Sequence, residues 1–228
     1  MTSRRRQWGA YIGRLAAIFA AAALVPACAN EDSPLLHIED AELARPAPDS
    51  FRVAFETSRG NFMVVARRAW APRGADRFYH LTKHGYYDGA YFFRVVENFV
   101  AQFGMPGDPK VYAAWRDRRI EDDSVRHSNT RGTVSFASQG PNTRSVQLFI
   151  NLKDNVNLDT FGGGFAPIAE VTEGMSVVDA LYDGYGEGAP RGLGPRQDMI
   201  AAQGNSYLRR NFSQLDFIRR AAVVQEWR

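Results

Sequence analysis

Between residues 92 and 104 the chain reads Phe92-Phe93-Arg94-Val95-Val96-Glu97-Asn98-Phe99-Val100-Ala101-Gln102-Phe103-Gly104. Aromatic and β-branched residues of this kind favour a pleated, half-buried strand. Arg94 and Gln102 interrupt the apolar run eight positions apart, and an even spacing sets both on one side of a continuous extended path. A bend at Glu97-Asn98 breaks that simple geometry. A second stretch has the same character: Gly132-Thr133-Val134-Ser135-Phe136-Ala137-Ser138-Gln139-Gly140-Pro141-Asn142-Thr143, running on to Ser145-Val146-Gln147-Leu148-Phe149-Ile150. Both place polar residues on the alternate face of an otherwise apolar strand.

Outward from these two stretches the pattern stays that of short strands. Phe51, Val53 and Phe55 alternate with Arg52, Ala54 and Glu56, a period of two. Ser58-Arg59-Gly60 supplies a turn, and Phe62, Val64 and Ala66 form the return strand of a hairpin. Pro72 opens a helix where proline is tolerated, Ala75, Phe78 and Leu81 give it an apolar face, and Gly85 closes it. Further strands are predicted near 91–95, 98–103, 132–137, 146–151, 165–171 and 218–224, with helices over 174–182 and 205–212. Many short strands with few helices point to a closed barrel, because closure removes exposed edges.

Here the sequence resembles the cyclophilins, over roughly Phe51 to Val224. The likeness also includes Phe51–Gly60, Gly74-Ala75-Asp76-Arg77-Phe78 and Glu173-Gly174-Met175, in the same order, and is nearest to bacterial members. It implies a mainly β fold, an eight-stranded antiparallel barrel capped by two α-helices, with an extra C-terminal helix in this chain because 183–212 exceeds the minimal family pattern. It implies peptidyl-prolyl cis–trans isomerase activity without a cofactor or metal. Carried over by position, Arg94 matches the family's catalytic arginine and Gln102 the glutamine that orients substrate and arginine. Phe99, Val100, Phe149 and Leu158 match the pocket for the proline ring. Ala137 and Ser138 match the strand whose backbone pairs with the peptide, Ser138 replacing the commoner asparagine, and Gln147 matches a further polar groove residue. Three positions depart from the family: Asn157 stands at the place of the groove-edge tryptophan, Phe165 near a histidine common in eukaryotic members, and Phe93 where histidine often precedes the arginine. These departures bear on binding of the cyclic peptide cyclosporin more than on catalysis.

The residue types suit that chemistry on their own terms. An X–Pro bond rotates over a barrier of roughly 20 kcal/mol because amide resonance resists twisting. No bond breaks, so neither nucleophile nor metal is needed. A dry pocket that grips the ring, and a guanidinium that donates to the prolyl nitrogen as it becomes pyramidal, favour the twisted amide. The rival reading is a module that captures proline-containing segments with little turnover.

Other clusters carry less. His80 and His84 lie one helical turn apart, but no third ligand type accompanies them, and a solvated helix face is expected. Gly162-Gly163-Gly164 lacks the Lys-Ser/Thr of a phosphate cradle and reads as a flexible loop. Glu121-Asp122-Asp123 reads as an acidic loop, since adjacent carboxylates seldom converge on one bond. Ser135 and Ser138 lack the glycines of a nucleophile elbow.

The chain has 228 residues with 45% hydrophobic and 23% charged composition, ample for one core. Its net charge of +3 is misleading. Arg4, Arg5, Arg6 and Arg14, with no acid, give residues 1–28 a charge of +4, which leaves −1 for the remainder. Nucleic acid is therefore not expected as a partner. The first residues read as a secretory leader: a basic start, eleven apolar residues from Leu15 to Val25, then small residues around Cys28. That run is shorter than the roughly 20 residues that span a bilayer. Two processing readings stand. Val25-Pro26-Ala27-Cys28 resembles a lipobox, in which Cys28 is acylated; Ala27-Cys28-Ala29 fits cleavage before Asn30. The first is favoured, since Cys28 is the chain's one cysteine. The expected organisation is a leader over 1–28, a flexible tether over 29–50 and one domain over 51–228. The expected product is a monomer, exported to the periplasm and held to a membrane through a lipid on Cys28 alone, with proline-containing polypeptides as substrates.

Overall fold

The computed structural model describes residues 33–228, so the leader and Cys28 lie outside it. The hairpin forms where the alternation places it, as β1 (Ser50–Thr57) and β2 (Asn61–Arg67). Phe51 stands opposite Ala66, Val53 opposite Val64 and Phe55 opposite Phe62. All six side chains are buried, and the Phe55 and Phe62 rings stack at 4.8 Å. Thr57 closes the turn by donating its N–H and its hydroxyl to the Gly60 carbonyl, at 2.9 and 2.6 Å.

Six more strands follow: β3 (Arg94–Val96), β4 (Val100–Phe103), β5 (Thr133–Phe136), β6 (Leu148–Asn151), β7 (Pro167–Glu173) and β8 (Ile218–Trp227). They make one antiparallel sheet in the order β3-β4-β6-β5-β7-β2-β1-β8. The expected closed barrel is corrected here to an open, curled half-barrel. β3 and β8, the two ends of the sheet, share no ladder, and the isolated bridge Tyr91–Phe217 stands beside them. The physical cause is length and direction. β3 has three residues, and the chain leading into it, through Gly85 and Gly89 at positive φ, turns rather than extends. Three backbone hydrogen bonds still lace the seam: Phe92 N–H to Asp216, Gly89 N–H to Ile218 and Ile218 N–H to Ala90.

Helical segments are also more numerous than the expected two caps and one extra helix. The described residues hold α1 (Asp40–Leu43), α2 (Pro72–Lys83), α3 (Pro109–Trp115), α4 (Met175–Asp179), α5 (Gln197–Gln203) and α6 (Asn205–Asn211). α2 begins at Pro72 as predicted. It ends in a Schellman arrangement, with Gly85 at φ +69 and hydrogen bonds from Gly85 N–H to Thr82 and from Tyr86 N–H to Leu81. Its Ala75, Phe78 and Leu81 are fully buried against the sheet. α3 is announced by Asp108-Pro109: the Asp108 carboxylate caps Lys110 N–H at 2.8 Å. α3 buries Trp115, whose indole N–H donates to the Leu35 carbonyl at 2.8 Å.

That bond bears on residues 33–49, expected to be part of a tether. Ile38 and Ala47 are buried, and Leu35, Leu36 and Leu43 pack on the main core. His80, expected on a solvated face, is buried with Nε2 2.8 Å from the Arg45 carbonyl, and His84 reaches Glu42 at 2.8 Å. The segment stays on the domain because its apolar residues find a place beside α2 and α3. No helix among the described residues is long and apolar enough to cross a membrane.

The joint between β7 and α4 depends on one glycine. Gly174 has φ +78, and a Cβ there would come within 2.6 Å of the Asn61 carbonyl oxygen and 2.9 Å of Phe62 Cα. Gly174→Ala is therefore expected to cost about 2 kcal/mol of stability. A urea midpoint equal to wild type would contradict that reading of the joint.

Candidate functional site

The face of the sheet turned away from the main core carries the polar residues singled out in the sequence. Pairing, rather than a single extended path, brings them together. Asn98, at φ +53, turns the chain, so β3 and β4 become a hairpin with Arg94 directly opposite Gln102. Gln102 in turn stands opposite Phe149 of β6, and Phe149 opposite Ser135 of β5. Residues paired across strands share a face. Their neighbours Val95, Ala101, Ile150 and Val134 point the other way, into the main core.

Arg94 Nη1 donates to Gln102 Oε1 at 3.1 Å. Gln102 Nε2 donates to Gln147 Oε1 at 2.8 Å, and Gln147 Nε2 donates to the Tyr112 hydroxyl at 3.1 Å and to Gln197 Oε1 at 3.3 Å. The guanidinium carbon lies 5.6 Å from the Phe99 ring centroid, within cation–π range. Nε and Nη2 hold Glu187 through both carboxylate oxygens, at 2.7 and 2.8 Å. The Arg94 hydrogen bonds and charge, helped by the Gly188 N–H, keep the Glu187 carboxyl below the usual carboxylate range against the opposing effect of burial.

Beside this polar chain lies a small apolar cluster. Val100, Phe149 and Leu158 are its buried members, and Phe99, Ala137 and Phe165 pack around them. Phe149 and Phe165 meet edge-to-face at 5.7 Å. A polar hollow of about 370 Å³ adjoins it, lined by Gln102, Tyr112, Ala137, Ser138, Gln147 and Gln197 among others. Ala137 borders both the cluster and this hollow, and its N–H is held by the Gln147 carbonyl at 2.9 Å. Asn157 is exposed on the short turn that carries Leu158.

Behind the apolar cluster runs a buried amide network that sequence reasoning missed. Asn129, fully buried, donates to Asp159 and to the Phe165 carbonyl, and accepts from the Ser135 hydroxyl and from Asn151. Asn155 donates to Asn151 and to the Phe99 carbonyl. The aromatic residues at 99 and 165 are thus tied through their own backbone to one hydrogen-bonded network, which fixes their place in the cluster. Glu187, Gln197 and Tyr112 were also missed. The first lies 93 positions from Arg94 and the second 50 from Gln147, and no local pattern announces such partners.

Several known proteins are similar to this chain. The family model described as "Cyclophilin type peptidyl-prolyl cis-trans isomerase/CLD" matches residues 52–199. A peptidyl-prolyl cis-trans isomerase of Schizosaccharomyces pombe is 37% identical over 130 residues, which is 55% of this chain and 81% of that protein. One from Streptomyces antibioticus is 33% identical over 148 residues, 61% of this chain and 87% of the relative. In fold, the chain is similar to a Cryptosporidium parvum cyclophilin type peptidyl-prolyl cis-trans isomerase, with a TM-score of 0.55 at 17% identity over 78% of this chain and 99% of the other. The same enzyme crystallised in the presence of the dipeptide Ala-Pro gives a TM-score of 0.55 at 18% identity, over 77% and 99% of the two chains.

Proposed function

The chain belongs to the cyclophilin-type peptidyl-prolyl cis–trans isomerase family, and on that premise we propose that Arg94 is the group that accelerates rotation of X–Pro bonds here. One observation carries the assignment: a guanidinium oriented by Gln102 and set over Phe99, at the edge of an apolar cluster of Val100, Phe149 and Leu158. The proline ring occupies Phe99, Val100, Phe149 and Leu158. The residues before it lie along Ala137 and Ser138, the two positions that follow β5, with Gln147 contributing a side-chain amide. As the C–N bond twists, resonance is lost and the prolyl nitrogen gains a lone pair. An Arg94 N–H donates to that lone pair, an interaction absent from the planar ground state, and so favours the transition state selectively. Gln102 holds the plane of the guanidinium and excludes other rotamers.

The substrates proposed are proline-containing segments of unfolded or loosely folded proteins outside the cytoplasm, and the enzyme works as a monomer tethered by acylated Cys28. The leader's charge pattern and the place of Cys28 support this reading. Cells fed a labelled fatty acid should label the wild-type protein and leave Cys28→Ala unlabelled. Label that survives the substitution rules out this anchor. The isomerase assignment itself is tested by turnover. Catalytic quantities of protein must interconvert the isomers of a proline-containing peptide, whereas a module that only captures such segments binds them without changing the rate.

A further inference from the structure

The segment between α4 and β8 reaches the site at two points, and they are the two ends of one hydrogen-bonded chain. Glu187 grips Arg94 at one end and Gln197 accepts from Gln147 at the other, with Arg94, Gln102 and Gln147 between. We propose that Glu187 is a positioning residue for Arg94, so that the 183–212 segment completes the active site. This rests on the reading of Arg94 as the catalytic cation.

Geometry separates this role from blockade of the site. A guanidinium has five N–H groups. Glu187 takes the one on Nε and one on Nη2, and Gln102 takes one on Nη1. One N–H on each terminal nitrogen remains for a substrate. Glu187 does not draw the cation away from the apolar cluster either, for Arg94 keeps its contact with Gln102 and stays over Phe99. Two clamps on different edges fix a planar group that would otherwise sample many rotamers and would have to be ordered on binding.

The segment is built to hold that carboxylate still. Gly194 N–H donates to the Glu187 carbonyl at 2.9 Å, Gly188 N–H donates to Glu187 Oε1 at 3.0 Å, and Ala189 N–H closes back onto Gly194 at 3.1 Å. A Cβ on Gly194 would stand 2.9 Å from the Glu187 carbonyl oxygen, so the turn needs glycine there. Ile200, Leu208 and Leu215 then join Phe93 and Met105 in a separate apolar cluster. Phe93 precedes Arg94, so the segment is anchored on the strand it serves.

The test compares full-length wild type, Glu187→Ala, Glu187→Gln, Arg94→Ala and the double variant Arg94→Ala/Glu187→Ala, measuring kcat and KM for isomerisation of a proline-containing peptide. Glu187→Ala is expected to lower kcat about tenfold with KM changed less than about twofold. Glu187→Gln, which keeps one acceptor, should fall between it and wild type. In the Arg94→Ala background, removing Glu187 should have no further effect, since a residue that acts through Arg94 has nothing left to position. Should Glu187→Ala fail to fold, Glu187→Gln and its double variant with Arg94→Ala decide the matter. Unchanged or faster turnover in the Glu187 variants overturns the proposal, as does an equal loss with and without Arg94. Equal rates for wild type and Arg94→Ala would instead overturn the underlying assignment of Arg94.

Discussion

Arg94→Ala should lower kcat/KM for X–Pro isomerisation about 100-fold, or ~2.7 kcal/mol, while the protein remains folded and still binds the peptide. The size follows from what the side chain does. Removing one preorganised donor from a site where charge develops costs about 2.7–4 kcal/mol in water-excluded sites. Arg94's side chain is 19% exposed, which places the expectation at the lower end of that range. The apolar cluster does not involve the guanidinium except at Phe99, so affinity should change only a few-fold, and the loss should fall on kcat. Truncation also leaves Gln102 Oε1 without its donor and Glu187 with the Gly188 N–H alone. Glu187 is partly exposed and Gln102, although buried, lines the polar hollow, so the fold is expected to survive. Arg94→Lys should recover little, because an ammonium cannot serve Gln102, Glu187 and substrate from one plane. A loss that falls entirely on KM would mean that the arginine binds substrate and transition state alike.

The second large effect concerns stability. Asp123→Ala is expected to cost about 3–5 kcal/mol, a large part of the roughly 5–15 kcal/mol that holds a domain together. The Asp123 and Arg144 side chains are 2% and 3% exposed and stand 3.1 Å apart. Asp123 also accepts from the Arg73 and Gly74 N–H groups, at 3.1 and 2.9 Å, and so caps the first turn of α2, where the helix dipole favours an anion. Its removal takes the buried one of two carboxylates from the Arg144 guanidinium, leaving Asp122 at 3.1 Å, and uncovers two helix-terminal donors together. At about 2–4 °C per kcal/mol for a domain of this size, the melting temperature should fall by about 6–20 °C. The adjacent Glu121 has a 74% exposed side chain paired with a half-exposed Arg73, so Glu121→Ala should shift the transition little. Equal effects of the two substitutions would mean that the pair is not the buried lock described.

The same three acids show how far the sequence could be read. Glu121-Asp122-Asp123 looked like a solvated loop, and for Glu121 it is. Nothing local distinguishes Asp123, because its partner lies at 144 and the backbone it caps lies 49 to 50 residues earlier. By contrast, the opening hairpin and α2 were legible in detail. Their signals are short-range: period-two alternation, a Gly60 turn, Pro72 at one helix end and Gly85 at the other. The strands of the site were legible for the same reason. The placing of Arg94 and Gln102 on one side held through cross-strand pairing, while the continuous path that first argued for it is broken at Asn98.

What escaped was what depends on length and on distant partners. Whether a curled sheet closes is decided by a few residues at its ends, and three-residue β3 leaves the seam to one bridge and a few backbone hydrogen bonds rather than a ladder. The early apolar residues Leu35, Leu36 and Ile38 sit among prolines and acids that read as linker, although Trp115 and α2 give them a place to pack. The asparagines at 129, 151 and 155 read as punctuation between strands. Only in three dimensions do their amides complete one another behind the apolar cluster.

The most direct test of the central claim is exchange spectroscopy on a peptide containing one X–Pro bond, with the full-length protein at a small fraction of the peptide concentration. Unaided, the isomers interconvert over tens to hundreds of seconds, so no exchange cross-peaks form within a mixing time of about one second. The account predicts cis–trans cross-peaks that grow with wild-type protein and nearly vanish with Arg94→Ala. Peptide resonances that shift on binding while no cross-peak appears would contradict it, and would leave the groove as a site that holds proline segments without turning them.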